Sequence, residues 1–177
     1  LARRGCDHQD GASCGMLALM HAEGIAMPKD LAKAAPLFEQ SCELGFGGSC
    51  EKAGDQHYGG HGVPKSARRA MPLYAKGCEL KDADSCYGLG VVALEGASGR
   101  PDATAAIAAF DRACDGGNMK GCSNLGTLLL SPSVADPVRA AVACKKGCDG
   151  GVADACANLA LIYLQGRGTP PNLPRGL

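Results

Sequence analysis

A chain of 177 residues suffices for one ordinary domain or for about four to five supersecondary repeats in a row. Trp is absent, aromatic residues make up 4% and Gly numbers 26, so any core is built from small and aliphatic side chains. The formal net charge is zero and no Lys/Arg cluster stands out, which excludes the electrostatic footprint of a nucleic-acid or anionic-membrane binder. No apolar run approaches the roughly 20 residues that span a bilayer, and no signal-peptide pattern opens the chain. Starting at Leu1 without Met, the chain reads as a processed or partial product.

Cysteines set the frame from the first residues onward. Cys6/Cys14, Cys42/Cys50, Cys78/Cys86, Cys114/Cys122 and Cys148/Cys156 each place the second member eight residues after the first. Successive pairs are 36, 36, 36 and 34 residues apart, the signature of a repeat array. The expected organisation is a single array over 1–177, with units 6–41, 42–77, 78–113 and 114–147 and an incomplete 148–177.

The columns of this alignment define the elements. Each pair's second Cys is followed three residues on by Leu17, Ala53, Leu89, Leu125 or Leu159, and then by a small column of Ala18, Gly54, Gly90, Gly126 and Ala160. The spacing predicts a helix A of about 10 to 12 residues after the second Cys, whose small column lets two helices approach closely. Gly24, Gly60, Gly96 and Gly166 stop it, with Pro132 in their place in the shortened repeat, and Pro28, Pro64 and Pro170 mark the loop. Asp30, Ser66, Asp102, Asp136 and Asn172 then stand where a helix N-cap is expected. From there an apolar stripe at spacings of three and four includes Ala34, Ala70, Ala106 and Ala140, with Phe38, Tyr74, Phe110 and Cys144 in a larger column. This predicts a helix B of about 13 to 15 residues, running to the first Cys of the next pair. The fold class is therefore all-α, an α-solenoid of stacked antiparallel helical hairpins. Pro36 and Pro72, at the sixth position of helix B, require those helices to bend or to start late. The two-residue deletion in "SPSVADP" predicts a tighter fourth hairpin.

Structural zinc sites use close cysteine pairs with two to four intervening residues. Seven intervene here, so the ten paired cysteines read as a disulfide framework stapling each turn from helix B into the next helix A, in an oxidising compartment. Bacterial periplasm, cell exterior and mitochondrial intermembrane space all qualify. Cys144 remains as a free thiol; its aromatic column makes it a buried small hydrophobe, whereas an odd cysteine four residues before Cys148 could instead exchange with that bridge or pair with another chain. His57 and His61 are separated by two glycines, so a loop and core role is expected rather than a metal or haem site, and no cofactor is expected.

The interaction surface is expected on the side of helix A away from its core stripe. The candidate partner-binding residues are Met20, Gln56, Val92, Glu95, Asn124, Leu128, Asn158 and Ile162. Met16, Leu19 and Leu161 belong to the same apolar excess. Burial of these residues against the following repeat is the alternative.

The columns "LG…G…PKD…A…C…G…SC" resemble Sel-1-like repeats, relatives of the tetratricopeptide repeat, and the paired cysteines resemble the Helicobacter cysteine-rich proteins and the mitochondrial cytochrome c oxidase assembly factor with the same repeats. The resemblance covers essentially the whole chain. It implies a superhelix that presents a concave surface to other proteins, as an adaptor, assembly factor or accessory subunit of a multi-subunit complex, without enzymatic activity. Relatives described as penicillin-binding supply the alternative, because "SCEK", Ser49 to Lys52, matches the Ser-x-x-Lys pattern of penicillin-interacting enzymes. The companion Ser-Asp-Asn and Lys-Thr-Gly elements are missing, so the match reads as chance.

Overall fold

The computed structural model describes residues 1–168. The described residues form ten helices and no strand: α1 (Ala2–Asp7), α2 (Gly11–Glu23), α3 (Leu31–Glu43), α4 (Gly47–Gly59), α5 (Ala67–Glu79), α6 (Ala83–Leu94), α7 (Ala103–Asp115), α8 (Met119–Leu130), α9 (Pro137–Asp149) and α10 (Ala153–Gln165). Odd-numbered helices are helix B and even-numbered ones helix A. They group into two compact units, Leu1–Asp102 and Ala103–Leu177. In the first unit α4 lies beside α6 and α3 beside α5, so A and B helices form separate layers. The second unit repeats this arrangement, with α8 beside α10 and α7 beside α9.

Each B-to-A turn is built the same way. The backbone turns left-handed at Gln9, Gly45, Lys81, Gly117 and Gly151. The next N–H, of Asp10, Phe46, Asp82, Asn118 or Val152, donates back to Gly5, Ser41, Gly77, Ala113 or Gly147 at 2.9–3.2 Å, closing the helix end. Beside this turn Cys6 is joined to Cys14, Cys42 to Cys50, Cys78 to Cys86, Cys114 to Cys122 and Cys148 to Cys156, with Cα atoms 4.5–4.6 Å apart.

The position of these cysteines corrects the expected layout, in which helix A follows the pair. Cys14, Cys50, Cys86, Cys122 and Cys156 do not stand in the turn; each is the fourth residue of helix A, in α2, α4, α6, α8 and α10. Their N–H groups donate to the carbonyls of Asp10, Phe46, Asp82, Asn118 and Val152 at 3.0–3.2 Å, the first four-residue bond of each helix. Side-chain caps support the early start in three repeats: Asp10, Asp82 and Asn118 accept the N–H groups of Ser13, Ser85 and Gly121. Their partners Cys6, Cys42, Cys78, Cys114 and Cys148 are the penultimate residues of α1, α3, α5, α7 and α9. Each bridge therefore joins two helix ends rather than two points of a loop. The first four bridges are buried, whereas Cys148 and Cys156 are half-buried.

The A-to-B loops end on the expected column. Asp30, Ser66 and Asp136 accept the N–H groups of Lys33, Arg69 and Arg139. α7 starts directly after Asp102; the Asn172 cap and Pro170 lie outside the described residues. Each cap residue's own N–H reaches back into helix A: Asp30 to His21, Ser66 to His57, Asp102 to Ala93 and Asp136 to Leu129, at 2.7–2.9 Å. The shortened fourth repeat keeps this bond, so the deletion is absorbed within the loop.

Pro36 and Pro72 sit inside α3 and α5, which start directly after their caps; a late start is excluded. Both prolines are exposed, as are Ala32 and Arg68 four residues earlier, so the carbonyls released from the helix ladder lie on the solvent side. The core is as small-chained as the composition requires. Ala18, Ala22, Ala34 and Ala53 surround Phe38, with Leu31, Leu37 and Leu73 packed alongside. The small column receives the large one: a Cβ on Gly54 would stand 2.5 Å from the Tyr74 ring, and one on Gly126 would overlap Cys144 Sγ.

Candidate functional site

Ser49 occupies a structural column. One residue before each second Cys stand Ser13, Ser49, Ser85, Gly121 and Ala155, and these face Gly5, Ser41, Gly77, Ala113 and Gly147 across the turn. The disulfide draws the two backbones so close that only small residues fit beside it. In the second repeat both are serine. Ser41 Oγ donates to the Gly11 carbonyl at 2.8 Å, so Ser49 donates its own proton to Ser41 across 2.7 Å. Lys52 Nζ pairs with Glu51 at 2.9 Å, and that hydrogen bond raises the lysine pKa, opposite to what a general base needs.

Glu51 is the most perturbed carboxylate of this region. Burial raises its pKa to about 7 from 4.5, the nearby Asp55 charge acts in the same direction, and Lys52 partly opposes them. An acid whose folded pKa is raised holds a proton that the unfolded chain has released, so stability falls as pH rises between 4.5 and 7. Glu51→Gln is expected to remove that fall. The variant should melt above the parent at about pH 8, by about 2–4 °C for each 1 kcal/mol gained, and with it at about pH 5, in thermal denaturation followed by circular dichroism. The exposed Lys52 pair lost in this variant contributes little.

His57 is buried in α4 and its Nε2 lies 2.7 Å from Glu39 Oε1, while His61 falls just past the Gly60 cap. Among the described residues no cluster of three or more His, Cys, Asp or Glu side chains is arranged for a metal. Cys144 is unpaired and fully buried, and burial lifts its thiol to about 11, where the reactive thiolate is scarce. No described helix is long and apolar enough to cross a membrane.

The candidate surface on helix A divides in two. Val92 is 0% exposed, packed with Ala70 and Tyr74, and Ile162 and Gln56 are also buried. These are corrections to the expected open face. At about 100° per residue, their column lies little more than a quarter turn from the centre of the core stripe, so it meets a neighbouring helix. Met20 and Leu128 in the same column are half-buried, as are Asn124 and Asn158, the latter donating to Thr127 Oγ1 at 3.0 Å. Glu95 is exposed and accepts from Tyr58 OH at 2.5 Å. The open face is carried by the columns two and five residues after the second Cys. There Met16 is 56% exposed, Leu19 38% and Leu161 51%.

In the first unit this face forms a groove. α2 and α4 flank it and Phe38 of α3 forms its floor. One recess of about 410 Å³ is walled by Met16, Leu19, Phe46 and Ser49. A second, of about 420 Å³, shares Leu19, Phe38 and Lys52 with the first and extends to Asp55, Gln56 and His61.

Antiparallel helical hairpins stacked in two layers place the chain among the helical-repeat solenoids. The Sel1 repeat model matches residues 11–46, 49–82, 83–118 and 153–177, and the chain belongs to the Sel1 repeat family. Residues 119–152, holding the shortened loop, fall outside the matches. Among curated proteins none matches the chain. Solved structures show the same fold. A Sel1 repeat protein from Oxalobacter formigenes superposes with a TM-score of 0.85 at 22% identity, over 96% of this chain and 70% of that one. The protective antigen c5321 of uropathogenic Escherichia coli, with an SLR fold, gives 0.84 at 24%, over 99% of this chain and 38% of that one. Helicobacter pylori cysteine-rich protein B gives 0.54 at 25%, over 70% of this chain and 94% of that one. Sel1 repeats are generally protein-interaction scaffolds, and five disulfides suit an oxidising compartment.

Proposed function

We propose that the chain is a non-enzymatic scaffold, a single repeat array that holds a partner protein as an adaptor, assembly factor or accessory subunit of a larger complex. The observation that carries this reading is the groove between α2 and α4, where apolar side chains stay open to solvent on a disulfide-clipped support. Periplasm, cell exterior and mitochondrial intermembrane space each meet its redox requirement. Proteins copurifying under non-reducing conditions, identified by mass spectrometry, provide the assay. Met16→Asp and Leu19→Asp are expected to lose a partner that the parent retains, with unchanged helical circular dichroism. Retention of every partner by both variants would remove the groove from this role.

A further inference from the structure

Four of the five bridges are closed to solvent and one is not. No cysteine of the first four is more than 4% exposed, whereas Cys148 and Cys156 both keep accessible surface. The hairpin that this fifth bridge clips is also the least secured. Asp10, Asp82 and Asn118 cap the helices that follow three of the buried bridges, but Val152, ahead of α10, offers no capping side chain. Of the five turns, this one alone joins an uncapped helix to a pair of glycines, Gly150 and Gly151, which gain much freedom when released. Of α10 only Ala155 and Ile162 are buried, whereas α8 of the same unit buries six residues. α10 packs on α8 and α9; α8 packs on α7, α9 and α10. Few buried side chains make for easy local opening, and a thiol needs either that opening or direct access to reach a disulfide sulfur. Cys144, one turn earlier in α9, does not compete, since it is fully buried with its Sγ against Gly126 of α8.

We propose that the Cys148–Cys156 bridge is a thiol-exchange site, opened by a low-molecular-weight thiol while the four buried bridges stay closed, and that its opening releases α10 from α9. Attack of the thiolate on Cys148 Sγ forms a mixed disulfide and breaks the Sγ–Sγ bond, whose electron pair leaves on Cys156 and takes up a proton. Cys156 is the better leaving group because it lies in the first turn of α10, where the helix dipole favours negative charge, whereas Cys148 lies in the last turn of α9. A second thiol then displaces the first from Cys148. In sum, two thiols are oxidised to their disulfide and one bridge is reduced to two thiols. The groove between α2 and α4 belongs to the other unit and keeps its own bridges.

The test exposes the disulfide-intact chain to reduced glutathione for increasing times. Samples are acid-quenched, alkylated and mapped by mass spectrometry, with Cys144 as the thiol that is free throughout. Expected is opening of Cys148 and Cys156 at least about tenfold faster than any other pair, with the first glutathione adduct on Cys148. Once this pair is open, amide hydrogen exchange in α10 should rise by roughly 10- to 100-fold, with α7 and α8 unchanged. The double variant Cys148→Ala, Cys156→Ala should show the same exchange in α10 without glutathione. Three results overturn the proposal: first opening at any other pair, all five pairs opening together, or unchanged exchange in α10 after Cys148 and Cys156 open. If the double variant does not fold, the glutathione series on the unmodified chain decides alone.

Discussion

Replacing Cys78 and Cys86 together by alanine is expected to lower stability by about 2.5 kcal/mol, the chain-entropy value for a closed loop of about nine residues. In a chain of this length that corresponds to a fall in melting temperature of roughly 5–10 °C. The turn itself should persist, because Asp82 N–H still donates to the Gly77 carbonyl and the Asp82 side chain still caps α6. The loss therefore lies in the unfolded chain's new freedom, and helical content at low temperature should match the parent. Thermal denaturation by circular dichroism, with and without reductant, measures it. Reducing the parent should cost more than the single-pair variant loses, since five bridges open at once. A parent whose melting temperature ignores reductant would show the bridges to be energetically idle.

Val92→Asp is expected to have the largest effect of any single substitution considered. Val92 is fully buried among Ala70 and Tyr74, so aspartate there places a carboxylate in an apolar pocket. The loss, more than about 4 kcal/mol, comes from an unpaired buried charge together with lost packing. Loss of cooperative melting in the Leu1–Asp102 unit is the predicted readout. Leu19→Asp provides the internal control: on the same layer of A helices, but open to solvent, it should leave the melting curve close to the parent's. Equal damage from the two would mean that Leu19 is as much core as Val92.

The contrast between Val92 and Leu19 marks where sequence reading stops. Cysteine spacing, the Asp30, Ser66 and Asp136 caps and the Gly24, Gly60 and Gly166 stops are local signals, and they located the hairpins. Asp10-x-x-Ser13 and Asp82-x-x-Ser85 carry the same capping signal, which read as such puts Cys14 and Cys86 inside helix A rather than ahead of it. Cys50 and Cys156 have no such marker, since Phe46 and Val152 offer no side-chain cap, and only the repeat period extends the correction to them. Which flank of helix A stays open is not local, because it depends on how neighbouring repeats lean on one another; Val92, Gln56 and Ile162 turn inward for that reason. Ser49 shows the converse. A catalytic-looking motif dissolves once its column of small residues is seen pressed beside the disulfides.

The central claim, that the groove between α2 and α4 holds a partner polypeptide, is tested most directly by photo-crosslinking from a benzoylphenylalanine placed at Leu19, with a second placed at the exposed Val142 of α9 for comparison. The account predicts a discrete crosslinked partner from position 19, suppressed by Met16→Asp, and none from position 142. Crosslinking from position 142 alone would contradict it.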